Sequence, residues 1–237
     1  MFRYGNIHDY VLERPHRTKL YQRAFMSEWL PKYVTRASSV IEVGADANVG
    51  VLGLLDVAER WIADPYEGDA GGKQRGVPDL GEAFKIARCT IGLDSDSLPS
   101  ESFDLLFSIS VIEHIGQKEA GYDCSYTPDP PEAQEAPRKA FCAECFRLLK
   151  PGGVTIHTID HGVRNVTFDT NFRNAGFEPL LDDPRIDAME MLNDPEAFRQ
   201  DSQWGNPENP TPMPEEIYPL NTVLMLGYRK PDGKLKP

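Results

Sequence analysis

The sequence has a shortage of basic residues, few cysteines and no long apolar run, and each of these excludes a class of protein. Twenty-five Lys and Arg residues stand against 37 Asp and Glu, which gives a net charge of −12. That sign opposes binding to phosphate backbones or anionic lipid, so we expect neither a nucleic-acid nor a membrane partner. No apolar run approaches the roughly 18 to 20 residues needed to cross a bilayer, and the start lacks the apolar core of a signal peptide. We therefore expect a cytoplasmic protein.

The four cysteines are too few and too scattered for a disulfide scaffold in a chain of 237 residues. Cys142 and Cys145 form a C-x-x-C motif, but a zinc site needs two more ligands, and the sequence has no second C-x-x-C or H-x3-H motif. A three-residue spacing also places two side chains on one face of a helix. We interpret both cysteines as core residues and expect no metal.

What is present is a composition of 40% apolar and 26% charged residues, enough for one domain spanning 1–237. Residues 1–36 carry seven Lys and Arg against three Asp and Glu, and apolar residues recur at helical spacing between 17 and 33. This pattern predicts an N-terminal helical cap, which either packs on the domain edge or covers a substrate pocket. Residues 178–220 hold eight prolines and eleven acids, which predicts an irregular insertion before the last strand.

Between these two segments, short β-rich runs alternate with helical patterns. The predicted strands are 40–43, 61–63, 105–109, 154–159 and a last one at 222–228, and the predicted helices are 49–58 and 137–149. The first four strands have the apolar composition of strands that are buried on both faces. The alternation predicts an α/β fold with a doubly wound, mostly parallel sheet.

The loops that follow the strands are the candidate site, because ligands of such sheets bind outside the carboxyl ends of the strands. Asp64 ends the second strand twenty residues after Gly44, a spacing typical of a carboxylate that binds a ribose. A dinucleotide fold has G-x-G-x-x-G at the first turn, whereas Asp46 and Val49 occupy the second and third of those positions here. Glu42 and Asp46 would repel phosphate, so the loop favours S-adenosylmethionine, which has a positive sulfonium and no phosphate.

The order of these motifs resembles that of the class I S-adenosylmethionine-dependent methyltransferases. The similarity covers 38–160 and the terminal strand at 222–229, and it is carried by the segments 40–48, 64, 92–99, 102–106, 110–115 and 147–153. The chain departs from the family at the G-x-G-x-G motif, which reads Gly44-Ala45-Asp46-Ala47-Asn48 and lacks two glycines. Because of this difference, the alternative that the protein is a family member that no longer binds the cofactor stays open.

The resemblance implies a Rossmann-like methyltransferase fold and a set of cofactor contacts. These are Glu42 with the methionyl ammonium, the loop at Gly44 and Ala45 close to the methionyl group, Asp64 with the ribose hydroxyls, Asp94 and Ser95 with adenine, and the backbone at Ser108 and Ile109 with the methionine moiety. For Asp94, the alternative is a turn or helix-capping acid. Asp104 begins a predicted strand, and we interpret it as structural.

Methyl transfer is an in-line displacement in which the protein mainly positions the acceptor and excludes water. A hydroxyl acceptor must also lose its proton. His114 follows the fourth predicted strand and His161 follows the fifth, so both are candidate general bases. For His114 the alternative is a structural role in the Glu113-His114 pair, and Asp160 is placed either to orient a histidine or to help hold a metal near the acceptor. We expect methyl transfer to a hydroxyl oxygen of a small molecule. The alternatives are a non-catalytic binding or partner subunit and a nicotinamide-dependent oxidoreductase, which the acidic loop disfavours.

Overall fold

The computed structural model describes residues 17–45, 49–66, 76–115, 131–159, 167–180 and 224–233, and the structural statements below concern these residues. The helices are α1 (Arg17–Trp29), α2 (Gly50–Leu54), α3 (Pro131–Leu148) and α4 (Thr167–Asn174), with 3-10 turns at Leu30–Tyr33 and Ile112–His114. The strands are β1 (Ser39–Val43), β2 (Glu59–Ala63), β3 (Lys85–Ala87), β4 (Phe103–Ile109), β5 (Leu149–Ile159), β6 (Glu178–Pro179) and β7 (Leu224–Arg229).

The described strands form one seven-stranded sheet in the order β3-β2-β1-β4-β5-β7-β6. The pairs among β1 to β5 are parallel, with Val43 beside both Ala63 on β2 and Ser108 on β4. β7 runs antiparallel to β5, and β6 runs antiparallel to β7. The predicted α/β class and the doubly wound, mostly parallel sheet are therefore confirmed.

Two apolar clusters fill the two faces of the sheet, because successive side chains of a strand point to opposite sides. On one face, α3 and α4 bury Phe141 and Phe172 against β4, β5 and β7. The same face holds Cys142 and Cys145, both fully buried, which confirms their interpretation as core residues. On the other face, α1 and α2 pack onto the sheet with side chains that include Met26.

The helices differ in length from the predicted ones. The predicted helix 137–149 begins six residues earlier, at Pro131, and contains Pro137. A proline lacks a backbone N–H and is usual in the first turn of a helix, which is why the sequence pattern placed the start there. The predicted helix 49–58 is confined to Gly50–Leu54.

Three short elements were missed in the sequence, namely β3, α4 and β6. β6 corrects the start of the predicted irregular insertion, because Glu178 and Pro179 pair with Arg229 and Tyr228 of β7. Residues 181–220, like residues 1–16 of the predicted cap, lie outside the described part of the chain. Among the described helices, none combines the length and the apolar composition that a membrane span requires.

Candidate functional site

The strand order reverses between β1 and β4, the two central strands of the sheet. From β1, the chain continues to β2 and β3 on one side, while β4 and β5 lie on the other. In an open α/β sheet, the loops that leave two such strands diverge and create a crevice at their carboxyl ends. The loop from Gly44 and the loop from Ser110 therefore border the candidate site.

Gly44 brings these two loops into contact. Its φ of +67° lies in the left-handed region, and a Cβ at this position would lie 2.6 Å from Cγ1 of Val111. Its backbone N–H donates to the carbonyl of Ala63 at 2.9 Å, which ties the turn after β1 to the end of β2. Since Asp64 follows Ala63 directly, the first turn and the predicted ribose-binding carboxylate are neighbours in space, as the spacing of the two residues predicts.

Glu42 is a carboxylic acid enclosed in the sheet next to this turn. It lies on the same face as Val40, towards α1 and α2, and only 3% of its surface is exposed. Its Oε2 atom is buried and has no hydrogen-bond partner among the described residues. Burial raises the pKa of Glu42 to about 8, and the nearby charge of Arg23 opposes that rise. An unsatisfied buried acceptor of this kind is suited to a cationic ligand group.

Asp64 is oriented by its own backbone turn. Its Oδ1 accepts a hydrogen bond from the backbone N–H of Tyr66 at 2.8 Å, and its own N–H donates to the carbonyl of Ala87 at 3.1 Å. Tyr66 has a φ of +54°, an uncommon conformation for a non-glycine residue. The side chain of Asp64 is half-buried at the carboxyl end of β2. It is therefore held at the edge of the crevice where a ribose carboxylate is expected.

The structure gives the side chains of Asp94 and Ser95 hydrogen-bond partners within the protein. Asp94 Oδ1 accepts a hydrogen bond from the backbone N–H of Thr90 at 2.5 Å. This contact is typical of a turn acid, which is the alternative role stated above for Asp94. Ser95 is buried, accepts from the N–H of Gly92 at 3.1 Å and donates to Glu144 Oε1 at 2.6 Å. Both side chains thus hold the loop, and Ser95 also attaches it to α3. Their contact with adenine stays a prediction.

Ser108 and Ile109 face opposite sides of the sheet at the end of β4. Ser108 is fully buried, and its hydroxyl lies 2.8 Å from Nδ1 of His157, whose Nε2 lies 2.7 Å from the hydroxyl of Thr155. This chain of side chains belongs to the core beside α3 and α4. Ile109 packs against the other cluster, as does the buried Ala45 of the first loop. Contacts of this backbone with a cofactor stay predictions.

His114 lies in the 3-10 turn that follows β4, and its backbone N–H donates to the carbonyl of Val111 at 3.0 Å. His114 therefore lies three residues after Val111, the residue that packs against Gly44, on the loop that borders the crevice. His161 and Asp160 lie outside the described residues. The role of either histidine as a base stays a prediction.

Two polar residues of the crevice were missed in the sequence. Ser110 adopts a φ of +54°, and its N–H donates to the carbonyl of Thr158 at 2.7 Å, which joins the ends of β4 and β5. The Thr158 hydroxyl is buried and has no hydrogen-bond partner among the described residues. A polar residue at the end of an otherwise apolar strand was the available signal. Within the described segments, no three His, Cys, Asp or Glu side chains are grouped as metal ligands.

No protein-family model and no curated protein sequence matches the chain. Several solved structures are similar to it. The N-methyltransferase NodS from Bradyrhizobium japonicum WM9, solved with S-adenosyl-l-homocysteine, is 13% identical with a TM-score of 0.52, and the match covers 96% of this chain and 98% of that one. A chain from the Haloferax volcanii complex of the Trm112 methyltransferase activator with a methyltransferase is 13% identical, with a TM-score of 0.52 and coverage of 90% and 91%.

A third similar structure, the [4+2]-cyclase SpnF, is 15% identical with a TM-score of 0.53, and the match covers 88% of this chain and 82% of that one. At these identities the similarity concerns the fold. The chain has the Rossmann-like fold of the class I S-adenosylmethionine-dependent methyltransferases, as the order of its motifs predicts.

Proposed function

We propose that the protein binds S-adenosylmethionine at the crevice between β1 and β4 and transfers its methyl group to a hydroxyl oxygen of a small molecule. The observation that carries this proposal is the buried Glu42 carboxyl, whose Oε2 has no hydrogen-bond partner among the described residues, two positions before the tight turn at Gly44. The ammonium of the cofactor would supply both the donor that Oε2 lacks and the positive charge that favours the carboxylate form of Glu42. The phosphates of a nicotinamide dinucleotide supply neither, so that cofactor is disfavoured.

The residues of this crevice fit the parts of the cofactor separately. Glu42 would hold the methionyl ammonium, Asp64 would accept the ribose hydroxyls, and the left-handed turn at Gly44 lets the backbone pass close to the methionyl group. The proposed ribose contact uses a side chain that is already oriented by the Tyr66 N–H, so little conformational freedom is lost on binding.

The cofactor supplies a methyl group on a positively charged sulfur, which is a good leaving group. The C–S bond breaks as the C–O bond to the acceptor forms, and the proton of the acceptor hydroxyl passes to a base. We assign that base to His114 or His161, which follow β4 and β5 in the chain. The net negative charge of the chain supports a small molecule over a nucleic acid as the acceptor.

The test is calorimetric titration with S-adenosylmethionine and S-adenosylhomocysteine, with NAD as the comparison ligand. Asp64→Ala removes a charge-assisted acceptor worth roughly 1.5–3 kcal/mol, so the affinity should fall by about tenfold to a hundredfold. The matched control is Asp56→Ala, because Asp56 is an exposed aspartate paired with Arg36 on the surface. Unchanged affinity in Asp64→Ala would reject the ribose assignment, and binding of NAD alone would reject the cofactor.

A second candidate function is a binding or partner subunit that transfers no methyl group. The loss of two glycines between Gly44 and Asn48 favours it, and the occurrence of this fold in a [4+2]-cyclase shows that the architecture also accommodates other chemistry. The two functions differ in turnover. Formation of S-adenosylhomocysteine from S-adenosylmethionine with a panel of phenols and sugars supports the enzyme, and its dependence on His114 and His161 identifies the base.

A further inference from the structure

The Glu42 side chain is enclosed, and the residues that surround it are mostly apolar. On the sheet its neighbours in register are Ile62 of β2 and Phe107 of β4, both fully buried apolar residues. The helix α2, which packs on this face, has the sequence Gly-Val-Leu-Gly-Leu and contributes no charge. Arg23 of α1 is the charged residue that acts on Glu42 from the helix above it.

Two further charged side chains lie on the same face of β2, one on each side of Ile62. Arg60 is beside Val40, one step towards the amino end, and its guanidinium donates to the carbonyl of Leu55. Asp64 lies at the carboxyl end and accepts from the Tyr66 N–H. Asp64 and the Nη2 of Arg60 therefore have partners of their own, whereas the Nε of Arg60 is buried and has no hydrogen-bond partner among the described residues.

An ionised Glu42 would leave a negative charge with a buried oxygen that no donor among the described residues satisfies. Such a charge is costly in an apolar environment unless it is paired and hydrogen-bonded, so the neutral form of the acid is favoured. Burial accordingly raises the pKa of this carboxyl to about 8, well above the 4.5 of an ordinary glutamate. A ligand ammonium next to Oε2 would reverse this preference, because it supplies both the donor and the positive charge.

We infer that the Glu42 carboxyl is protonated in the free protein at neutral pH and releases that proton to solvent when the ammonium of the cofactor binds beside it. The inference rests on the proposed function and adds to it that cofactor binding and proton release are one coupled event. The O–H bond of the carboxylic acid breaks, the proton goes to the buffer, and the carboxylate pairs with the ammonium. No other bond changes.

Two consequences can be measured. At pH 6.5, binding should release about one proton per protein molecule, and the affinity should rise by about tenfold between pH 5.5 and 6.5, where the α-amino group of the ligand is still protonated. A ligand without a positive charge next to Oε2 should show neither effect.

The experiment is titration calorimetry with S-adenosylhomocysteine at pH 6.5 in phosphate, MES and imidazole, buffers with different enthalpies of ionisation. The slope of the observed enthalpy against the ionisation enthalpy gives the number of protons released. This pH is chosen because an α-amino group, with a pKa of about 7.7–8.0, is then almost fully protonated and takes up only about 0.05 proton on binding.

Glu42→Gln keeps the shape of the side chain and removes the proton that the carboxyl would release. For this variant, the slope of the observed enthalpy against the ionisation enthalpy should be near zero, and the affinity should be lower than that of the wild type and independent of pH. The matched control is Glu82→Gln, an exposed glutamate in the turn before β3, which should release the same number of protons as the wild type. Binding with a slope near zero in the wild type would overturn the inference and leave the proposed function standing, as would an unchanged slope in Glu42→Gln. If no binding is detected at millimolar ligand, the proposed function fails and the inference fails with it.

Discussion

Gly44 is a residue at which a single added methyl group should strongly affect the framework of the site. Its φ of +67° is a conformation that residues with a side chain rarely adopt, and its missing Cβ leaves the space that Val111 fills. In Gly44→Ala, the new methyl group would lie 2.6 Å and 2.7 Å from the two Cγ atoms of Val111, both far inside van der Waals contact.

Two separate terms contribute to the expected destabilisation. A left-handed conformation costs an L-residue roughly 1–2 kcal/mol, and an extra methyl group in a packed region costs roughly 1–3 kcal/mol more. The free energy of unfolding should therefore fall by about 2–5 kcal/mol in Gly44→Ala. The steric part should be recovered when Val111 is also shortened, so the double variant Gly44→Ala/Val111→Ala should be less destabilised than the two single effects added together, by about 1 kcal/mol or more.

The assay is equilibrium unfolding in urea, followed by circular dichroism for the four proteins of the double-mutant cycle. Gly53→Ala is the matched control, because this glycine is exposed in α2 and its added Cβ would meet only Cζ of Phe84 at 3.8 Å. That substitution should be neutral or stabilise the helix by up to about 1 kcal/mol. A Gly44→Ala protein within about 0.5 kcal/mol of the wild type, or a purely additive cycle, would refute the described contact between the two loops.

Three further predictions concern buried or paired side chains. His157 is buried and stacked on Phe172, and burial lowers its pKa to about 3. The free energy of unfolding should therefore be unaffected by this group above pH 6.5 and should fall by about 1.4 kcal/mol per pH unit as the pH drops from 6.5 towards 3. In urea unfolding, His157→Gln should show a weaker loss of stability with falling pH than the wild type. The pKa of Glu42 is about 8 in the folded protein against 4.5 for an ordinary glutamate, so the free energy of unfolding should fall as the pH rises from 4.5 to 8. In the absence of ligand, Glu42→Gln should remove this pH dependence and, with it, a destabilisation of about 3 kcal/mol at pH 7. Asp104 accepts hydrogen bonds from the Ser39 N–H and from Lys150 Nζ, both at 2.8 Å. Asp104→Ala should therefore lower the free energy of unfolding, measured by thermal unfolding, by about 1–3 kcal/mol. A variant as stable as the wild type would contradict the structural role of Asp104.

The strand pattern and the turn at Gly44 were readable from local sequence because each depends on neighbours in the chain. The runs 40–43 and 105–109 are strands, and Asp104 has the structural role that its position at a strand start indicated. β3 and β6 have three and two residues, which is too short for a periodic pattern. They are strands because β2 and β7 offer them unpaired backbone edges, and that information is not local.

Side-chain environment was the part that sequence alone did not provide. Ser95 and Ser108 look like accessible polar residues in the sequence, yet they bond with Glu144 and His157, which are 49 positions away in each case. The buried Thr158 hydroxyl and the left-handed Ser110 likewise depend on the meeting of β4 and β5. Partners so distant in the chain come together only when the sheet forms.

The amino-acid sequence alone determined the fold class and the acidic character of the first loop, because hydrophobic periodicity and charge are properties of the residues themselves. Only the tertiary structure decided the protonation of Glu42, the β1 residue that leads into that loop, because the pKa of a carboxyl depends on the solvent and the charges that surround it. Glu42 is an ordinary glutamate in the unfolded chain, and it becomes a weak acid when two strands and two helices exclude water from it.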